Sequence, residues 1–171
     1  MPAFQNTKIF CLRLLAAVFI LSLFHSELSA QAAKVSVIKG RNVAFNFNNF
    51  NDFANGKDLP NWTTLILQVD SPNNWEFSIR SEYDRLDSMD DFIPIDSLTI
   101  SIVLVNQTAF PVDALLKENS MQPNTSPTVV IEGGTLTNTV ELLISYRLAP
   151  MVNKKPGVYY VQLDYNLVVF E

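Results

Sequence analysis

The 171-residue sequence holds one cysteine, Cys11, and one histidine, His25, and both fall in a segment marked for removal. Lys8 and Arg13 give that segment a positive start, and Leu14 to Phe24 form an apolar stretch. Leu28-Ser29-Ala30 or Ala30-Gln31-Ala32 then presents small residues to a signal peptidase. We therefore expect a cleavable signal peptide over residues 1–30, cut after Ala30 or Ala32. The apolar stretch of 11 residues is well short of the ~20 that a bilayer crossing needs, so no membrane span is expected after cleavage. Cys11 precedes the stretch, whereas a lipoprotein cysteine follows it, which argues against lipid anchoring.

Processing leaves a chain with neither thiol nor imidazole. Disulfides, Cys/His zinc sites, thiol–imidazole pairs and Ser-His-Asp triads are all excluded. The expectation is a non-enzymatic protein without a cofactor. Exported domains of this size are often cross-linked, so residues 31–171 must hold together through a core of their own, as one domain. Export of a cysteine-free chain suits the periplasm or cell surface of a bacterium. Positive charge is scarce too. Removing Lys8, Arg13 and Glu27 leaves 10 basic and 16 acidic residues, a net charge near −6, and Lys154-Lys155 is the one adjacent basic pair. Nucleic acid, which needs clustered Lys and Arg, is not expected as a partner.

What the sequence does contain is alternation. After the turn Pro156-Gly157, Tyr159, Val161, Leu163, Tyr165, Leu167 and Val169 recur at every second position, a period that only an extended strand turns into one apolar face. The same pattern marks Lys34–Lys39, with Val35 and Val37, and Asn42–Phe47, with Val43, Phe45 and Phe47. Leu65, Leu67 and Val69 lead to Ser71-Pro72-Asn73-Asn74 and then to Trp75, Phe77 and Ile79, which reads as a hairpin. Leu98–Val105 is a strand, Thr128–Ile131 a short peripheral one, and Val140, Leu142, Ile144, Tyr146 and Leu148 share a face up to Pro150. Helix signals are few. Val112–Asn119 has room for a turn or two, confined by Pro111, Pro123 and Pro127. Seven or eight strands without βα alternation predict an all-β fold, an antiparallel two-sheet immunoglobulin-like sandwich, with a small barrel as the alternative closure.

Three groups of residues invite a chemical reading. Asp84, Asp87, Asp90 and Asp91, with Asp96, form an acidic loop that could ligate calcium. The spacing is not that of an EF-hand and the turn glycine is missing, so a solvated loop is the stronger reading. Paired carboxylates can also serve glycoside hydrolysis, but that needs a specific separation which no sequence spacing supplies. Phe50, Phe53 and Trp62, among Asn46, Asn48, Asn49 and Asn51, offer a stacking platform for sugar rings, against which stands a structural role for Phe50 and Phe53 anchoring the loop through Asn55-Gly56. Asn61-Trp62-Thr63, Asn106-Gln107-Thr108 and Asn124-Thr125-Ser126 match a glycosylation acceptor pattern that matters only in a eukaryotic secretory route.

The succession Leu65-Ile66-Leu67-Gln68-Val69, Asn74-Trp75-Glu76-Phe77-Ser78-Ile79, Ile93-Pro94-Ile95, Ile144-Ser145-Tyr146-Arg147-Leu148 and Pro156-Gly157-Val158-Tyr159 resembles the spore coat protein U and archaic chaperone–usher pilin type of domain, over Lys34 to Glu171. The chain departs from it in lacking the cysteines that many such pilins join. The resemblance implies a sandwich that lacks one strand, whose apolar groove is filled by the N-terminal segment of a neighbouring subunit through strand addition. Val35, Val37 and Val43 would then be the donor, and Tyr159, Val161, Leu163, Tyr165, Leu167 and Val169 the acceptor groove. Partners would be the protein itself or a related surface subunit, and a periplasmic chaperone. The competing reading makes Lys34–Lys39 the first strand of its own complete sandwich. The function expected is that of a secreted structural or adhesive subunit, pilin-like, in a fimbria or at the cell surface, with a carbohydrate-binding module as the alternative.

Overall fold

Side chains that alternate apolar and polar along an extended backbone give each strand one oily face, and strands so made must be covered in layers. The computed structural model describes residues 33–70, 73–105, 115–134 and 138–170. Within them the alternation becomes thirteen strands, with one short α-helix and one turn of 3-10 helix at Ile95–Ser97. The signal segment with Cys11 and His25, the turn residues Ser71 and Pro72, the acceptor Asn106-Gln107-Thr108 and the first half of Val112–Asn119 lie outside the described residues.

One layer is a five-stranded antiparallel sheet. It is ordered β1 (Ala33–Lys39), β3 (Lys57–Val69), β11 (Asn138–Leu148), β7 (Leu98–Leu104) and β9 (Ser120–Met121). A four-stranded sheet follows the order β13 (Leu163–Val169), β4 (Trp75–Ser81), β10 (Thr128–Gly133) and β8 (Leu115–Leu116). Another runs β2 (Val43–Phe47), β12 (Gly157–Val161), β5 (Arg85–Asp87) and β6 (Phe92–Pro94). In the chain β4 is followed by β5 and β12 by β13, while β4 pairs with β13 and β12 with β5. The two four-stranded sheets are therefore halves of one bent layer. Phe45, Phe47 and Tyr159 from one half join Trp75, Phe77 and Ile79 from the other and Leu65, Leu67, Leu142 and Ile144 from the opposite layer in a single buried cluster. Each such side chain contributes about 1.5–3 kcal/mol on burial, which is how a sandwich coheres without cross-links.

The expected all-β sandwich is thus observed, with more strands than the seven or eight foreseen. The hairpin at residues 65–80 is a correction: β3 pairs with β1 and β11, and β4 with β10 and β13, so the chain crosses between layers there. Alternation reports which face of a strand is buried, not which strand lies beside it. Leu115–Leu116, placed in a short helix by the sequence, is strand β8. The strand read as peripheral is β10, flanked by β4 and β8, with Val130 and Ile131 fully buried. The run after Gly157 breaks at Gln162, where it passes from one half-layer to the other without losing phase. The loop through Phe50 and Phe53 contains the one α-helix described, α1 (Phe50–Asn55). The Asn49 side chain caps it by accepting the Asp52 N–H, and Gly56 at φ 74° ends it.

Candidate functional site

β13 is an edge strand. It pairs with β4 from Leu163↔Ser81 to Val169↔Trp75, and among the described residues its other edge carries no partner. Across from it, in the other layer, β1 is also an edge strand, pairing with β3 alone. The two edge strands pack beside each other along one side of the sandwich without a ladder between them. Leu163, Tyr165, Leu167 and Val169 continue inward the phase that began with Tyr159 and Val161, yet they are only half-buried, as are Val35 and Val37. A depression of about 650 Å³ runs along this side, lined by Val35 and Val37 from β1 and Leu163 and Tyr165 from β13, with the polar Ser78, Arg80, Asp164 and Asn166 and with Pro127 at its margin.

Tyr165 ties the groove to the interior. Its ring stacks on Phe77 at 6.4 Å between centroids. Its hydroxyl lies 2.9 Å from that of Tyr146, which donates to Thr63 Oγ1 at 2.7 Å, which in turn donates to the Gly40 carbonyl at 2.8 Å. The Tyr146 proton is committed to Thr63, so Tyr165 donates to Tyr146. The chain of hydroxyls bridges the two layers. Burial pushes both phenols above their ordinary pKa, so they stay neutral donors at any physiological pH.

The residues assigned to strand exchange are divided by the fold. Val35 and Val37 lie on β1, which is paired along its length with its own β3. Val43 is buried in β2, opposite Val161. Tyr159 and Val161 are core residues of the half-layer around β12, whereas Leu163, Tyr165, Leu167 and Val169 are half-buried on the edge strand β13.

The acidic loop is drawn into strands and ion pairs. Asp87 accepts from Arg85 Nε at 2.7 Å within β5. Asp91 accepts from the backbone N–H groups of Phe92 and Lys155, at 2.8 and 3.1 Å, and pairs with Lys154 Nζ at 3.2 Å. The Lys154 ammonium also lies 4.7 Å from the centroid of the Phe92 ring and bonds to the Phe92 carbonyl. Tyr159 OH reaches the Asp91 carboxylate at 3.3 Å, so Asp91 clasps the loop before β12 onto the strand β6. No group of three or more Asp, Glu, His or Cys among the described residues is placed to hold a metal ion.

The three aromatic residues considered for sugar stacking have separate fates. Phe53 is buried, stacked on Phe47 with centroids 4.6 Å apart, which removes its faces from any surface platform. Phe50 is exposed on α1, and Trp62 is at the surface of β3 with its indole N–H donated to the Asn42 carbonyl at 2.9 Å. The sequence reading passed over Arg41, Tyr83, Arg85 and Tyr160, which surround a second cleft at the junction of the sheets. The alternation that places Tyr159 inside points Tyr160 outward, which was the available signal. Among the described residues no helix is long and apolar enough to cross a membrane. No family model matches the chain, and no curated protein matches it either.

Proposed function

We propose that the protein is an exported, non-enzymatic structural subunit of a bacterial surface assembly, built by strand addition at β13. The observation that carries this reading is the free edge of β13, whose half-buried Leu163 and Tyr165 face a groove beside β1, with half-buried Leu167 and Val169 continuing the same apolar face. A row of open backbone groups above apolar side chains is a template for another strand, and proteins that do not use such an edge normally block it. The outward residues of β13 do little to block it: Asp164 is engaged by Arg80 at 2.9 Å, and Asn166 is uncharged. The segment that would fill the groove is an alternating one such as β1 of a second copy, which must first leave its own β3. The N-terminal address of residues 1–30 and the spore coat protein U-like order of strand motifs support the same reading, and a chaperone strand would fit the same edge.

The test is the size distribution of the protein purified after export, by size-exclusion chromatography with light scattering over a range of concentrations. Oligomers are expected, and Leu167→Lys, which puts a charge on the apolar face of the free β13 edge while leaving its backbone intact, should reduce them to monomer. A protein that is monomeric at every concentration, or oligomers indifferent to Leu167→Lys, would overturn the reading.

A further inference from the structure

Three chain crossings between sheets meet at one level of the molecule. Gly40–Asn42 carries β1 into β2, Glu82–Asp84 carries β4 into β5, and Gln162 carries β12 into β13. Where ladders separate, a sheet opens, and here the opening is a cleft of about 500 Å³, lined by Arg41, Asn42, Tyr83, Arg85, Tyr160 and Gln162, with Asp87 alongside. Its size lies within the ~300–1,000 Å³ of small-ligand sites.

The walls are held before any ligand arrives. The Gly40 carbonyl is fixed by Thr63 Oγ1 at 2.8 Å and the Asn42 carbonyl by the Trp62 indole at 2.9 Å. The Gln162 carbonyl receives the Glu82 N–H at 3.0 Å. Gly40 has φ 69°, and a β-carbon there would lie 2.2 Å from the Trp62 carbonyl oxygen, so the turn that carries Arg41 is fixed at this glycine.

Two aromatic rings stand open in this cleft. Tyr83 is 50% exposed and Tyr160 57%, although neither contributes to the core. Their faces offer a surface for the C–H side of a sugar ring. Around them are planar hydrogen-bonding groups: the Asn42 and Gln162 amides and the Arg85–Asp87 pair, closed at 2.7 Å. Arg85 is thereby neutralised. Arg41 is not, for among the described residues no carboxylate pairs with it. An unpaired guanidinium attracts an anion even against the chain's net charge of −5 and the Glu82 carboxylate that hydrogen-bonds Tyr83, and its two parallel N–H groups match a carboxylate.

We infer that this cleft binds an acidic saccharide, with a sugar ring stacked on Tyr83 and Tyr160 and its carboxylate held by Arg41. The inference stands apart from strand addition. Leu163 and Tyr165 border both sites, but Arg41 and Tyr160 border the cleft alone.

The experiment is calorimetric titration of the folded protein with tetragalacturonate, with its fully methyl-esterified form and with tetraglutamate. The acid should bind about tenfold or more tightly than its ester, a difference of one decade in Kd. Arg41→Gln should abolish that preference, and Tyr160→Ala should weaken both saccharides about tenfold while the melting temperature and oligomer distribution stay those of the parent. Absence of saccharide binding up to about 10 mM, the bottom of any useful affinity, would overturn the inference. So would equal affinity for acid and ester, binding unchanged in both variants, or tetraglutamate binding as tightly as the sugar.

Discussion

A β-carbon built on Gly133 meets Cε2 of the Trp75 ring at 1.9 Å and Nε1 at 2.3 Å. The indole, 1% exposed, lies flat over the glycine with which its own strand is in register, so the pair is a fit of shapes. Gly133→Ala should cost about 1–3 kcal/mol or more, the usual range for overpacking, read as a lower urea midpoint. A smaller second residue, as in Gly133→Ala with Trp75→Phe, should recover part of the loss. Asp91 shows the opposite case, a surface position with an unusual charge. Burial works against its carboxylate, but the Lys155 and Phe92 N–H groups and the Lys154 ammonium outweigh it and hold the carboxyl down at about 2, against an ordinary 3.8. A folded-state pKa below the unfolded one gives stability that is complete above the unfolded value and is lost as pH falls through the folded value. Asp91→Asn should therefore be less stable than the parent near neutral pH, and the gap should close between about pH 4 and pH 2 in urea titrations. A gap that does not change with pH would mean that the charge contributes nothing.

Strands differ in how firmly they are held. β11 has β3 on one side and β7 on the other, whereas β1 has β3 alone and no fully buried side chain. Amides of β1 should exchange with deuterium at least about tenfold faster than those of β11, measured peptide by peptide, because local opening is easiest where one ladder suffices. Equal protection would leave no separate release of β1, and strand exchange through it would lose its entry step. The alternation of Val35 and Val37, of Val43, Phe45 and Phe47, and of the run from Tyr159 to Val169 was legible because a buried face must be oily at every second residue. Other elements left no such mark. The first half of β3 contains Pro60 and then Asn61 at φ 45°, where the register with β11 slips, and a proline beside a bulge reads as the end of a strand. β5 and β6 contribute one buried residue each, Leu86 and Ile93, amid aspartates that suggest a loop. α1 has six residues, too few for a helical period to appear.

At the scale of the molecule, the two-layer architecture follows from the strands, but the candidate sites follow from pairing order, which alternation does not encode. The phase of Leu163, Tyr165, Leu167 and Val169 was readable, while the openness of their edge is a fact about which strands are absent from it. Arg41, Tyr83 and Tyr160 come together only because three crossings, far apart in the chain, fall at one level. The same pairing order sets a timetable. β2 has β12 as its one partner in the sheet, so Val43, Phe45 and Phe47 have no ladder to join until a strand roughly a hundred residues downstream has emerged from the ribosome. This stretch of the core therefore stays unpaired until almost the whole chain has been made, although β1 and β3 can already join.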